Sequence, residues 1–202
     1  MTMKDSVVSR RQLLKGAGAI GVLGAVGIPT TVFADGARVR WDLMHIDFSV
    51  PSLNAGGVIS AHAEGESPEE ESKITLTGSG TFHPDEDGGV TGGGTWKTFD
   101  HTNTKTGGGT YTAQRLVSWN RAPGALPLFF VDNIGKLADT SAGLALLKIR
   151  YSDGSRGVLT ISCNLGVGAV FEGITATKGY VDYFRPEPPA SERTIFHITN
   201  ED

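Results

Sequence analysis

The sequence predicts an all-β fold, a single antiparallel β-barrel of about eight strands rich in meanders, on three observations. Apolar and polar residues alternate with period two over most of the chain beyond residue 35. Glycine supplies 28 of the 202 residues, about twice its usual share, which suits turns and bent strands better than long helices. A Gly-x-Gly-Thr-aromatic segment also occurs three times, as Gly78-Ser79-Gly80-Thr81-Phe82, Gly92-Gly93-Gly94-Thr95-Trp96 and Gly107-Gly108-Gly109-Thr110-Tyr111. Their starts lie 14 and 15 residues apart, one strand plus one turn. Glycines at matching levels of neighbouring strands let a sheet bend, and an aromatic ring fills the volume they leave. Closure removes exposed edges; a β-sandwich is the alternative arrangement of the same strands.

The elements follow in chain order. Residues 1–34 read as an address outside the fold: Ser9-Arg10-Arg11-Gln12-Leu13-Leu14-Lys15 precedes an apolar run from Gly16 to Ile28, and Val32-Phe33-Ala34 suits signal peptidase. That run has 13 residues, short of the roughly 20 that span a bilayer. Residues 35–184 carry the barrel. Val39, Trp41 and Leu43 alternate, then Met44, Ile46, Phe48 and Val50 alternate in the opposite phase, which predicts a strand with a bulge near Leu43–Met44. Further strands are expected at 58–63, 73–82, 91–99, 110–120, 144–151, 157–164, 169–176 and 179–184, with the cleanest hairpin at Ser152-Asp153-Gly154-Ser155. Glu64 to Ser72, with five glutamates and Pro68, suits a solvated loop. Leu126 to Ala138 has roughly helical spacing and predicts one short helix or a capping loop. Residues 185–202 open on Arg185-Pro186-Glu187-Pro188-Pro189 and form a Pro-rich tail, in which Thr194 to Thr199 either adds an edge strand or stays free.

Charge and cysteine usage exclude several classes. The whole chain has 18 basic and 22 acidic residues, a net charge of −4. Lys4, Arg10, Arg11 and Lys15 leave with the address segment against Asp5 alone, so the remaining domain has 14 basic and 21 acidic residues and a net charge of −7. Such a surface argues against nucleic acid and anionic membrane as partners. The single Cys163 makes neither an intrachain disulfide nor a Cys-rich zinc module. In phase with Leu159 and Ile161, it reads as a buried, inert thiol.

Chemical motifs are mostly negative. The glycine runs contain neither Gly-Lys-Ser/Thr nor a Gly-x-Gly-x-x-Gly opening a helix, so nothing cradles a nucleotide phosphate in the usual way. Asp85-Glu86-Asp87-Gly88 has too few oxygen ligands for a calcium loop and reads as an acidic turn. His45-Ile46-Asp47, His62-Ala63-Glu64, His83-Pro84-Asp85 and Asp100-His101 each set an imidazole within two residues of a carboxylate. Residues i and i+2 share a face of a strand, which makes His45 and His62 the candidate metal ligands, against the common case of hydrogen-bonded surface histidines. Trp96, Tyr111 and Trp119 on candidate strands, with Arg115 nearby, are the candidate ligand-binding residues of an aromatic-lined cavity, against the alternative that they fill the barrel. No sequence pattern assigns a catalytic residue or names a cofactor.

Ser9 to Lys15 resembles the twin-arginine (Tat) export signal, read through Arg10 and Arg11. That resemblance implies passage of an already folded chain through the Tat translocase, cleavage by signal peptidase, and a periplasmic, cell-envelope or extracellular location; some Tat cargo carries a cofactor. Gly173-Ile174-Thr175-Ala176-Thr177-Lys178-Gly179-Tyr180-Val181-Asp182-Tyr183 and the repeated glycine-rich strands look like Tat-exported, uncharacterised bacterial β proteins. More distantly, residues 73–183 resemble the lipocalin-like barrels of the allene oxide cyclase and dirigent type, which implies glycine-rich strands around an apolar cavity. The expected function is binding of a small apolar or aromatic molecule, or a non-catalytic envelope role, without stable membrane insertion. The alternatives are a cavity enzyme of the isomerase or cyclase type, using Arg115 or a histidine, and a metal-binding protein using His45 and His62.

Overall fold

A computed structural model describes residues 36–84, 89–166, 171–187 and 191–200. Arg10 and Arg11 with the rest of the address segment, the acidic turn Asp85–Gly88 and the start of the strand expected at 169 lie outside the described residues. Among the described residues, fourteen strands form one sheet system. They are β1 (Ala37–Asp47), β2 (Ser52–Ala55), β3 (Ile59–Ala63), β4 (Ser72–Leu76), β5 (Ser79–Phe82), β6 (Gly93–Asp100), β7 (Lys105–Ala122), β8 (Val131–Asp132), β9 (Thr140–Tyr151), β10 (Arg156–Cys163), β11 (Gly173–Lys178), β12 (Val181–Tyr183), β13 (Arg185–Pro186) and β14 (Glu192–Asn200).

Six of them close an antiparallel barrel in the order β9-β14-β1-β5-β6-β7, with β7 pairing back onto β9. The ring thus has six strands where about eight are expected, because β4 and β10 branch away from it. β4 leaves β6 towards β3 and β13, while β10 leaves β9 towards β11 and β12.

The expected tail is corrected most. β14 is no edge strand: it lies between β1 and β9, in register with β1 from His45↔Glu192 to Ala37↔Asn200. Thr194, Ile195, Phe196 and His197 are all buried because neighbours cover both faces. The phase change in β1 is likewise no bulge against β14, whose register runs unbroken. Trp41 through Met44 are buried in succession where β1 exchanges β5 for β2 as its other neighbour.

The glycine-rich repeats fall on consecutive ring strands. Phe82, Trp96 and Tyr111 are buried, and Trp96 stands opposite Gly109 with its ring over Gly107 and Gly109. The glycines also admit close backbone approach: a Cβ on Gly94 would lie 1.8 Å from the Thr77 carbonyl oxygen. Two bulges against β9 bend the 18-residue β7. They place Ala113, Leu116 and Trp119 opposite the buried Ile149, Leu147 and Ala145, an interior spacing of three instead of two.

Leu126 to Ala138 is a capping loop, containing β8 and a 3-10 turn at Leu137–Asp139. β8 pairs in parallel with β2. No helix among the described residues is long and apolar enough to cross a membrane.

Candidate functional site

The sequence-predicted residues separate into distinct places. Trp96 donates its indole N–H to the Thr110 carbonyl at 3.1 Å and meets Tyr151 edge-on at 5.7 Å. Tyr111 tilts against the same Tyr151, and burial pushes its phenol pKa up. Lys178 lies over Trp96 and Tyr151 while pairing with Asp153. Trp119 belongs to a second aromatic group, with Phe82 and Phe196 at 5.4 and 4.6 Å. Such edge contacts stabilise by about 1 kcal/mol each.

Arg115 joins neither group: the β7 bulges set it opposite Lys148, whose side of β9 faces solvent. Trp96, Tyr111 and Trp119 are therefore wall-to-wall packing, and Arg115 is turned away from them. Among the described residues, the buried indole N–H groups of Trp41 and Trp119 and the Tyr111 hydroxyl have no hydrogen-bond partner.

The candidate metal ligands each face a different glutamate. His45 Nδ1 contacts Glu192 across the β1–β14 ladder at 3.3 Å, and His62 Nε2 contacts Glu187 at 3.5 Å. Neither uses its i+2 carboxylate. Asp47 instead accepts hydrogen bonds from Ser49 and Val50, and Glu64 pairs with Arg185. No group of three or more metal-ligating side chains occurs among the described residues.

The histidine with the buried carboxylate partner is the fifth one, His197, which has no acid within two residues in sequence. Its Nε2 lies 2.8 Å from Asp132 Oδ2, and both side chains are buried. Asp132 Oδ1 accepts from the backbone N–H groups of Ile134 and Gly135. Burial alone would raise the Asp132 pKa; the hydrogen bonds from Gly135, His197 and Ile134 together outweigh it and hold the carboxyl low. Arg40, cross-strand neighbour of His197, forks onto Asp42 at 2.7 and 2.9 Å and donates to the Ile134 carbonyl at 3.2 Å. Gly135 covers the imidazole so closely that a Cβ there would sit 2.7 Å from Cδ2. This network pins the capping loop to the barrel.

A cleft of about 350 Å³ opens at the start of that loop. Met44 and Ile46 of β1, Leu126 and Pro127 of the loop and Leu165 after β10 give it apolar walls, and Glu172 and Arg193 are its charged groups. Glu172 accepts from the backbone N–H of Asn164 at 2.9 Å and of Thr194 at 2.8 Å. Burial nevertheless raises its pKa, because desolvation outweighs these bonds and the attraction of Arg193.

The Thr194 hydroxyl lies 2.6 Å from the Ser162 carbonyl and 3.0 Å from Glu172 Oε1, so its one hydrogen is shared between two acceptors and compensates the buried carboxyl only in part. Cys163 beside this group is buried, and its thiol pKa is pushed well up by burial and by Glu172.

Exposed apolar residues continue from the cleft. Leu128 and Phe129 follow Pro127, Phe171 precedes Glu172, and Phe48 and Val50 occupy the turn joined to the loop through β2 and β8. The sequence hid Glu172 because no motif surrounds it; a lone acid between Phe171 and Ile174 was the available signal.

No family model, curated protein or solved structure matches the chain.

Proposed function

We propose that the chain is a Tat-exported β-barrel protein that binds a small apolar or aromatic molecule in the cleft between β1, β14, the start of β11 and the capping loop. One observation carries this reading: apolar walls and an exposed apolar rim surround a largely buried carboxyl. A volume near 350 Å³ is at the lower end of the range for small-ligand sites. Exposed side chains such as Leu128 cost little as part of a binding rim, and Phe129 is held there by stacking on Phe130. The Arg10-Arg11 motif supports the location, through translocase and signal peptidase as transient partners.

A second reading, an isomerase- or cyclase-type enzyme, is favoured by the same carboxyl and moves the acid–base role from Arg115 and the histidines to Glu172. A carboxyl with a raised pKa in an apolar setting is the group that donates a proton and takes it back near neutral pH.

Titration of the full chain with N-phenyl-1-naphthylamine, a neutral aromatic probe, tests the cleft. We expect saturable binding to wild type and a loss of about tenfold or more in L126K, which puts an ammonium group into the cleft wall. Equal binding by both proteins, each with the same circular dichroism spectrum, would overturn the reading. Retained binding by E172Q separates the carboxyl's chemistry from its packing.

A further inference from the structure

A different site lies on the outer face of β9 and β10. Lys148 and Arg150, two residues apart, share that face, and the register sets Arg150 directly opposite Arg156 and Lys148 opposite Val158. Directly opposed residues stand about 5 Å apart, where like charges repel and destabilise the sheet. Other basic residues have acidic partners: Arg40 with Asp42, Lys178 with Asp153 and Arg185 with Glu64. Lys148, Arg150 and Arg156 make no ion pair or side-chain hydrogen bond among the described residues. An opposed Arg–Arg pair with no counter-charge is unexpected on a domain with an excess of acids.

The three cations border a groove of about 520 Å³, which Gln114, Val158 and Thr177 also line. We propose that this groove binds a small organic phosphate, its phosphoryl group held between Arg150 and Arg156 with Lys148 alongside. Two guanidinium forks and an ammonium match a dianion with three terminal oxygens, whereas a carboxylate occupies one fork only. The organic part lies along Val158, Gln114 and Thr177, where one apolar and two hydrogen-bonding side chains adjoin the cations. The positive patch is bounded: Arg115 stands opposite Lys148 on the β7 side, and the basic row ends on the β12 side. In the row through Lys148, Val158 and Thr177 the next residue is Asp182 of β12, about 14 Å from Lys148 at the usual strand spacing. A nucleic acid strand needs a longer basic track than this.

Calorimetric titration of the full chain at low ionic strength with phenyl phosphate, inorganic phosphate and benzoate tests the site. We expect phenyl phosphate to bind about tenfold or more tighter than either of the others, and R150Q and R156Q each to weaken it by at least about tenfold. The ligand-free stability of R156Q should equal or exceed that of wild type, because an opposed like-charge pair is gone, while the rise in Tm on adding phenyl phosphate disappears. E172Q, in the separate cleft, should bind phenyl phosphate as wild type does. Absence of binding at about 10 mM phenyl phosphate, or unchanged affinity in the R150Q/R156Q double variant, overturns the site. Inorganic phosphate binding as tightly as phenyl phosphate overturns its assignment to an organic ligand.

Discussion

Gly94 and Gly154 separate two uses of the same residue. Gly154 sits in the β9–β10 hairpin at φ +90°, and an added Cβ there meets nothing within 4 Å. Its requirement is conformational, worth about 1–2 kcal/mol. Gly94 lies where β6 crosses the junction of β4 and β5, and its Cβ would meet the Thr77 carbonyl oxygen at 1.8 Å. That atom is backbone, fixed by the hydrogen bond from the Thr77 N–H to the Thr95 carbonyl at 3.1 Å. Relief therefore requires the strands to separate, at a cost of about 3 kcal/mol or more. Thermal unfolding should rank wild type above G154A and G154A above G94A; a G94A midpoint equal to that of G154A would refute steric crowding as its role. The repeat that signalled a bent sheet in the sequence thus had a legible role. The sites did not, because His197 meets Asp132 across 65 positions and Glu172 acquires its setting from β14 and the loop. Neither pairing leaves a local spacing to read.

At the scale of elements, β14 turns an open sheet into a ring. It hydrogen-bonds with β1 along nine residue pairs and reaches β9 through Phe196 and His197. A chain ending at Glu187 would leave β1 with an open edge and uncover Trp41, Trp119 and their neighbours. It should lose cooperative unfolding and the near-ultraviolet dichroism of packed tryptophans, and a peptide of residues 188–202 should restore both by adding a strand in trans. A cooperative transition within a few degrees of the full chain would show that closure is dispensable. Alternation identified most strands, since Ala145, Leu147, Ile149 and Tyr151 alternate inward along β9. It did not reveal which strands pair. Residues 194–199 have an ordinary strand pattern behind a Pro-rich segment, and only a partner some 150 residues away makes them part of the ring. β7 was legible as a strand but not in phase: its bulges break the period of two and turn Arg115 away from Trp119, its near neighbour in sequence.

At the scale of the whole molecule, two buried carboxyls give stability opposite dependences on pH. Asp132 has a lowered pKa in the folded state. Its contribution is present above the ordinary aspartate value and is lost as pH falls through the lowered one. Glu172 has a raised pKa. The folded state then holds a proton that the unfolded chain releases, so its contribution is full below the ordinary glutamate value and is lost as pH rises through the raised one. The two together predict greatest stability in mildly acidic solution, with an acid limb from Asp132 and a limb at higher pH from Glu172. D132A removes three hydrogen bonds at a buried carboxylate, a loss of about 3 kcal/mol, and should flatten the acid limb. E172Q should leave that limb in place and abolish the decline that sets in above the ordinary glutamate pKa, whatever it costs in hydrogen bonding. Melting curves at half-unit pH steps for the three proteins decide it. A decline towards neutrality that persists unchanged in E172Q would mean that the Glu172 carboxyl is ionised in the folded protein, and would remove the acid–base role proposed for the cleft along with it.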